Sequence, residues 1–368
     1  GAIGLAFGAL YLLLPTLTGA ITGRSLGIIP IPFVEWSHKT ADILPAVATG
    51  ISLDLGHFII GMVLPFWAVV GRIMGLLTTF VLNPMLYHAD ILRSWTPGDD
   101  TIATVFKNRV DFYFSFSIGI SIAVFIAGMA KVFSAMAESR RKKQERRREV
   151  LSADYLKERG DIPNRLVISF YFFVTLTYIL LCGYLIDWHG GVMIVLCFFG
   201  FVYTPLISYV TARLEGIAGM ALEIPLIREA CFIFSGYQGV KVWLLPVPKA
   251  NYGDNEVVFY RQCELTGTKF RSIWKTQVVL TPLILVSSIL YMSYIWGLAE
   301  VPSAVYPYAE RMWELRAANS CIMMSSTLPG EYSIFEEAFN LRYLLIGTGG
   351  GVLLFGIMSW AQAPIFLT

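Results

Sequence analysis

Charge is what this sequence has least of. Only 15% of its 368 residues are Asp, Glu, Lys or Arg, against about 25% in an ordinary soluble domain. That deficit argues against a water-soluble enzyme. Five cysteines, Cys182, Cys197, Cys231, Cys263 and Cys321, show neither a C-x-x-C pair nor metal-ligand spacing, so no disulfide framework is expected. There is no H-E-x-x-H, G-x-S-x-G or G-x-x-x-x-G-K-[ST] pattern. Neither enzyme chemistry nor a nucleotide-driven pump is therefore expected, and no cofactor or metal. The run from Gly347 to Gly351 sits inside an apolar stretch without a preceding strand, where small residues serve close helix packing. The first apolar run lacks a basic n-region, so it does not read as a signal peptide.

What the chain has in abundance is apolar length. Hydrophobic residues make up 56% and the mean hydropathy is +0.62. Spanning a bilayer takes about 20 apolar residues. Segments 109–134, 164–186, 190–212, 273–297 and 340–360 meet that, and 1–21 reads as the remnant of a span interrupted by Pro15. The expected fold class is all-α, a polytopic transmembrane helix bundle with broken or re-entrant helices. Gly1 opens directly on an apolar run and Thr368 closes on one, so the expectation is an internal piece of a longer membrane protein.

Residues 138–149, ESRRKKQERRRE, hold seven Lys/Arg against three Glu. By the positive-inside rule, loop 135–163 is expected to be cytoplasmic, as is 249–272, and 298–339 external. The multi-pass chain is placed in a plasma membrane, the inner membrane of a prokaryote. The run Arg140–Arg148 reads as an orientation signal or as a patch for anionic lipid. No aromatic interleaving accompanies it, so nucleic acid is not an expected partner.

Two apolar stretches are broken by charge, glycine and proline. The first, 50–92, carries Asp54 and His57, with Pro65 and Pro84. The second, 213–248, carries Glu215, Glu223, Arg228 and Glu229, with Pro225. Irregular backbone inside a bilayer is tolerated where it is packed in protein or lines a wet cavity, and ionisable groups there default to a functional hypothesis. Asp54 and His57, spaced i, i+3, share a helix face. They form a proton relay or cation site, or cap the helix that follows. Arg228 takes a substrate carboxylate or pairs with Glu229 or Glu223. Asp111 opens its span, with Tyr113, Ser115 and Ser117 at alternate positions, either on a substrate path or at the interface. Asn83-Pro84 reads as a helix terminator.

The order GISLDLGHFIIGMVLPFWAVVGRIMG, LNPMLY, RGDIPNRLVISFYFF, FVYTPLISYVTARLEGIAGMALEIP and FYRQCELTGT, over roughly 50–300, resembles the C-terminal part of the oligopeptide transporter superfamily in its prokaryotic branches. The Asn-Pro-Gly signature of eukaryotic members is missing. The resemblance implies a many-helix bundle with paired re-entrant hairpins and proton-coupled secondary uptake of small peptides or metal chelates. Asp54, His57, Glu215, Glu223 and Arg228 would lie nearest the hairpins. The alternative is a transporter-like structural subunit of a larger membrane assembly. A homo-oligomer or larger complex fits either reading.

Overall fold

The computed structural model describes residues 8–23, 33–52, 61–62, 64, 66–142, 160, 162–218, 224–247, 255–330 and 333–360. A π-helical turn, Ala9–Leu13, leads into α1 (Leu14–Thr22). Pro15 stands in the first turn of α1, where a missing N–H costs nothing. Next come β1 (Phe33–Glu35), α2 (Ser37–Thr40), β2 (Gly50–Ser52) and α3 (Phe66–His88). One helical path then runs through α4 (Thr101–Asn108), a π turn (Arg109–Tyr113) and α5 (Phe114–Lys142). It is followed by α6 (Asn164–Leu185), α7 (Gly190–Phe198), a π turn (Phe199–Tyr203) and α8 (Thr204–Ala218). The remainder holds α9 (Ile227–Phe234), α10 (Lys241–Leu244), α11 (Asn255–Leu265) and α12 (Phe270–Leu298). It closes with α13 (Pro307–Ser325), α14 (Ile334–Ala338) and α15 (Leu341–Trp360).

The described chain is a helical membrane protein. Six helices are long and apolar enough to cross a bilayer: Phe66–His88, Thr101–Ala130, Asn164–Leu185, Gly190–Arg213, Phe270–Leu298 and Leu341–Trp360. Their outward surface is apolar. Phe170 is 68% exposed, Val278 72% and Leu353 68%. Contiguous apolar surface on this scale belongs against lipid rather than water.

The expected boundaries shift in four places. Residues 66–88 form one continuous helix through Pro84. Proline there leaves the Phe80 carbonyl without its usual i+4 donor. Helix α5 runs on to Lys142, into the segment expected to be a loop. The stretch 298–339 contains the 19-residue α13, and 249–272 contains α11.

The chain divides into two compact units. The first comprises Gly1–Ser117, Ser287–Met323 and Tyr332–Thr368. Its core holds Ala46, Leu86, Leu92, Trp95 and Phe112. A short antiparallel hairpin pairs Phe33 with Ser52 and Glu35 with Gly50. Ser115 Oγ donates to the Ala338 carbonyl at 2.9 Å and accepts from the Asn340 N–H at 2.7 Å, which ties α14 and the start of α15 to α5.

The second unit comprises Ile118–Val286 and Met324–Glu331. Its core runs along α6 and α7 through Ile179, Ile186, Val192, Leu196 and Phe199 to Phe232 and Val242. Gly200 permits a close approach, since a Cβ there would lie 2.6 Å from Thr175 Cγ2. Tyr171 Oη donates to the Gly200 carbonyl at 2.6 Å. Gly160 and Arg271 lie together, a Cβ on Gly160 falling 2.8 Å from that of Arg271. The end of the basic segment and the start of α12 therefore share one end of this unit.

Candidate functional site

The polar centre of the first unit is built on one carbonyl. Ala46 is fully buried and sits in the left-handed region at φ +59°, a conformation costing a non-glycine residue about 1–2 kcal/mol. Its carbonyl accepts from Asn83 Nδ2 at 2.8 Å and from Asn108 Nδ2 at 2.7 Å. Tyr113 Oη donates to Asn83 Oδ1. Ser37 Oγ accepts from the Thr49 N–H at 3.0 Å, and Glu35 accepts from the Thr101 N–H. These bonds hold the 41–49 loop against α3, α4 and the π turn. Away from water, each such group left unpaired costs about 1–3 kcal/mol.

One atom of this cluster is left over. Asn108 is 5% exposed, yet its Oδ1 has no hydrogen-bond partner among the described residues. Asn108 lines a cavity of about 280 Å³, together with Thr79, Asn83, Arg109, Tyr113 and Ser117. Val105, Arg109, Tyr113 and Ser117 recur in steps of four and so share one face. Arg109 lines this cavity, is exposed, and has no ion-pair partner among the described residues.

This cavity adjoins two others along α4. Ala48 and Val105 also line a cavity of about 300 Å³, mostly apolar, with Phe33, Ile102, Met312 and Leu315. Phe33 and Ile102 in turn line a third, of about 540 Å³, rimmed by Glu35, Asp100, Glu310, Arg311 and Glu314. From Asp100 to Ser117 the lining thus changes from acidic to mostly apolar, the last cavity carrying the Asn83 and Asn108 amides and Arg109 within an apolar wall. Two of the cavities lie at the lower end of the usual small-molecule range of about 300–1,000 Å³ and the third lies within it.

The loop leading into α4 is fastened by charge. Asp100 caps the helix by accepting from the Ala103 N–H at 2.6 Å. Asp99 pairs with Lys107 at 2.8 Å. Burial by itself would raise the Asp99 carboxyl, but its bonds from Lys107 and from the Thr96 N–H and hydroxyl outweigh that and hold it below the usual carboxylate range. A depressed folded value contributes stability above the unfolded carboxylate pKa of about 3.9, lost as pH falls through the lower folded value. Acid is expected to loosen residues 94–108 below about pH 4, and Asp99→Asn to abolish that acid-dependence. Amide hydrogen exchange across this segment, compared at two acidic pH values, measures it.

The residues singled out from the sequence have different fates. Asp54, His57 and Glu223 lie outside the described residues. Asp111, in the π turn, accepts from the Ser94 N–H at 2.8 Å and from the Ser94 hydroxyl at 2.7 Å, the bonding of a loop anchor. Asp111→Ala is therefore expected to cost about 1–3 kcal/mol, and Asp111→Asn less, because its amide oxygen still accepts from Ser94. Thermal unfolding of the purified variants tests this. Arg228 pairs with Glu229 at 2.8 Å, one of the two arrangements open from the sequence. Glu215 lies half-buried on α8. Of the run Arg140–Arg148, only its first residues fall on α5, the rest lying outside the described residues.

The second broken segment folds as a hairpin. Pro225 and Leu226, the latter at φ +55°, precede α9. The turn at 235–240 joins α9 to α10, and Phe232 and Val242 anchor the two arms in the core. Thr327 fastens the turn. Its carbonyl accepts from the Gly239 N–H at 2.8 Å, its hydroxyl donates to the Gly239 carbonyl at 2.9 Å, and Trp243 Nε1 donates to that hydroxyl at 2.7 Å. Lys241 meets Asp187 at 3.1 Å, so the tip docks at the turn between α6 and α7. The segment leaves α8 at the other end of that helical path, and α11, which follows it, packs against α8.

The amide cluster was missed in the sequence because Asn83 reads as a terminator beside Pro84. The four-residue stripe through Arg109, Tyr113 and Ser117 was the available signal. No protein-family model, curated protein or solved structure matches this chain.

Proposed function

We propose that this chain forms the pathway of a secondary transporter of the oligopeptide-transporter type, carrying small peptides or metal chelates by proton-coupled symport. The observation that carries the reading is the run of three adjoining cavities from an acidic rim to a buried amide cluster, inside a unit built on membrane-crossing helices. The Gly/Pro-interrupted segment 50–92, which lines these cavities at Gly50, Ser52, Thr79 and Asn83, fits the general plan of transporters, in which broken helices line the substrate site. Proton coupling falls to Asp54, His57, Glu215 and Glu223. Asp111, Arg228 and Glu229 have structural partners that account for them. The protein belongs in a prokaryotic inner membrane with the 135–163 segment cytoplasmic and 298–339, which supplies Glu310 and Glu314 to the acidic rim, external.

The experiment is uptake of labelled short peptides into proteoliposomes under an imposed proton gradient. Gradient-stimulated uptake that falls with Glu215→Gln and Asp54→Asn is expected. Uptake of no peptide or chelate by the intact protein overturns the reading. That outcome favours the alternative, a structural subunit of a larger membrane assembly. One observation speaks for the alternative: none of the most apolar window of α12 is buried within the chain, which leaves that helix open to a partner subunit as well as to lipid.

A further inference from the structure

We propose that the start of α12, with α11 beside it, is a docking surface for an anionic phospholipid of the surrounding bilayer, whose phosphate meets Lys269, Arg271 and Lys275. This goes beyond the transporter reading and does not depend on it. The three cations stand close together at one end of α12, all exposed and none with an ion-pair partner among the described residues. The sequence carries no Asp or Glu between Glu264 and Glu300, and Glu264 is taken by Arg261 at 2.5 Å. The chain that follows the basic run 138–149 reaches the same place, since a Cβ on Gly160 would fall 2.8 Å from that of Arg271. Like charges gathered in this way repel one another, and an anion among them removes that repulsion.

The apolar surface around these cations favours a lipid over a soluble anion. Arg271 and Lys275 share a helix face with Val278, Pro282 and Leu285, which follow in alternating steps of three and four. Val278 is 72% exposed and Leu285 61%. The face that opens on two cations therefore continues as bare hydrocarbon, along a helix able to cross a bilayer. Helix α11, with 11 residues, is too short to span and has two faces. Cys263 is buried, whereas Val258, Phe259 and Leu265 are exposed beside Arg261 and Lys269. Exposed apolar residues next to Lys and Arg mark a helix that lies in the headgroup layer. Tyr260 fastens α11 to the start of α12, its ring 5.9 Å from Phe270 and 6.4 Å from Trp274. Partly exposed Trp274 is of the type enriched at that depth. Cations, then an interfacial ring, then open apolar helix is the order in which a phospholipid presents its phosphate, its glycerol and its acyl chains.

The test is binding of fluorescent phosphatidylglycerol to the purified full chain in micelles of an uncharged detergent, where membrane orientation plays no part. Phosphatidylglycerol is expected to bind more tightly than phosphatidylcholine and to lose that margin at high salt. A basic residue near an anionic lipid surface contributes about fivefold. Lys269→Gln, Arg271→Gln and Lys275→Gln combined are therefore expected to weaken phosphatidylglycerol about tenfold to a hundredfold and to leave phosphatidylcholine unchanged. A misfolded variant could not produce that pattern, because it would lose both lipids alike. Lys269→Arg, Arg271→Lys and Lys275→Arg combined keep the charges and should keep the binding. Arg140→Gln, Arg141→Gln and Lys142→Gln combined remove the same net charge elsewhere and should change the preference little. Glycerol phosphate, a headgroup without acyl chains, should compete only weakly. Equal affinity for the two lipids, or an equal loss from the two sets of Gln replacements, overturns the surface. So does competition by glycerol phosphate as strong as by the whole lipid, which would mark a site for soluble phosphate.

Discussion

Asn83→Leu is expected to abolish uptake and to destabilise the protein by about 1–3 kcal/mol for each buried group it strands. The side chains are similar in size, so the loss is polar. The Ala46 carbonyl keeps only Asn108 as donor, and the Tyr113 hydroxyl loses its acceptor. Ala46 is also held in a left-handed conformation that these bonds help to stabilise. Asn83 and Asn108 donate to the same carbonyl, so their effects cannot be independent. The double replacement should depart from additivity by about 0.5–3 kcal/mol, as groups sharing a partner do. Trp95, 5% exposed in the same core, provides the fluorescence signal for thermal unfolding. Additive losses would mean that the two amides do not share the carbonyl in solution.

Gly191→Val is expected to displace the hairpin of α9 and α10, while Gly190→Ala is expected to change nothing. The two glycines are adjacent but meet different surroundings. A Cβ on Gly191 would overlap the Ser235 carbonyl oxygen and lie 3.0 Å from its carbon, whereas one on Gly190 meets nothing within 4 Å. Since Ser235 opens the hairpin turn, backbone rather than a flexible side chain must move. Forced overpacking costs about 1–3 kcal/mol. The displacement should also separate Lys241 from Asp187. That exposed pair contributes little stability, but it reports position. Crosslinking between Asp187→Cys and Lys241→Cys should therefore proceed on the parent background and fail with Gly191→Val. Equal crosslinking in both would place the hairpin elsewhere.

The spans could be read from the sequence because hydropathy is a local property. Residues 164–185 or 341–360 need no partner to declare themselves. The interruption at 213–248 was also readable, since Pro225 and the glycines break a helix wherever it packs. The amide cluster was not readable in this way. Asn83 finds its acceptor 37 residues away and Asn108 finds the same one 62 away, in a loop whose left-handed residue is an alanine. Nothing in the alanine's chemistry announces that geometry. Asp111 misled for the same reason: its partner, Ser94, is 17 residues back. A charge near a span draws attention, but only folding shows whether a neighbour already satisfies it. Asn108, uncharged and unremarked, has the free acceptor.

The central claim is that the cavities along α4 form a water-filled path into the bilayer. Thiol accessibility in a cysteine-free background tests it most directly. Ser117→Cys lies on the cavity wall, and Ile126→Cys, 46% exposed on the opposite face of α5, serves as the lipid-facing control. A membrane-impermeant thiol reagent is expected to label Ser117→Cys in sealed proteoliposomes and to leave Ile126→Cys unreactive. Unreactive Ser117→Cys alongside a reactive cysteine at the rim position Glu314 would contradict it.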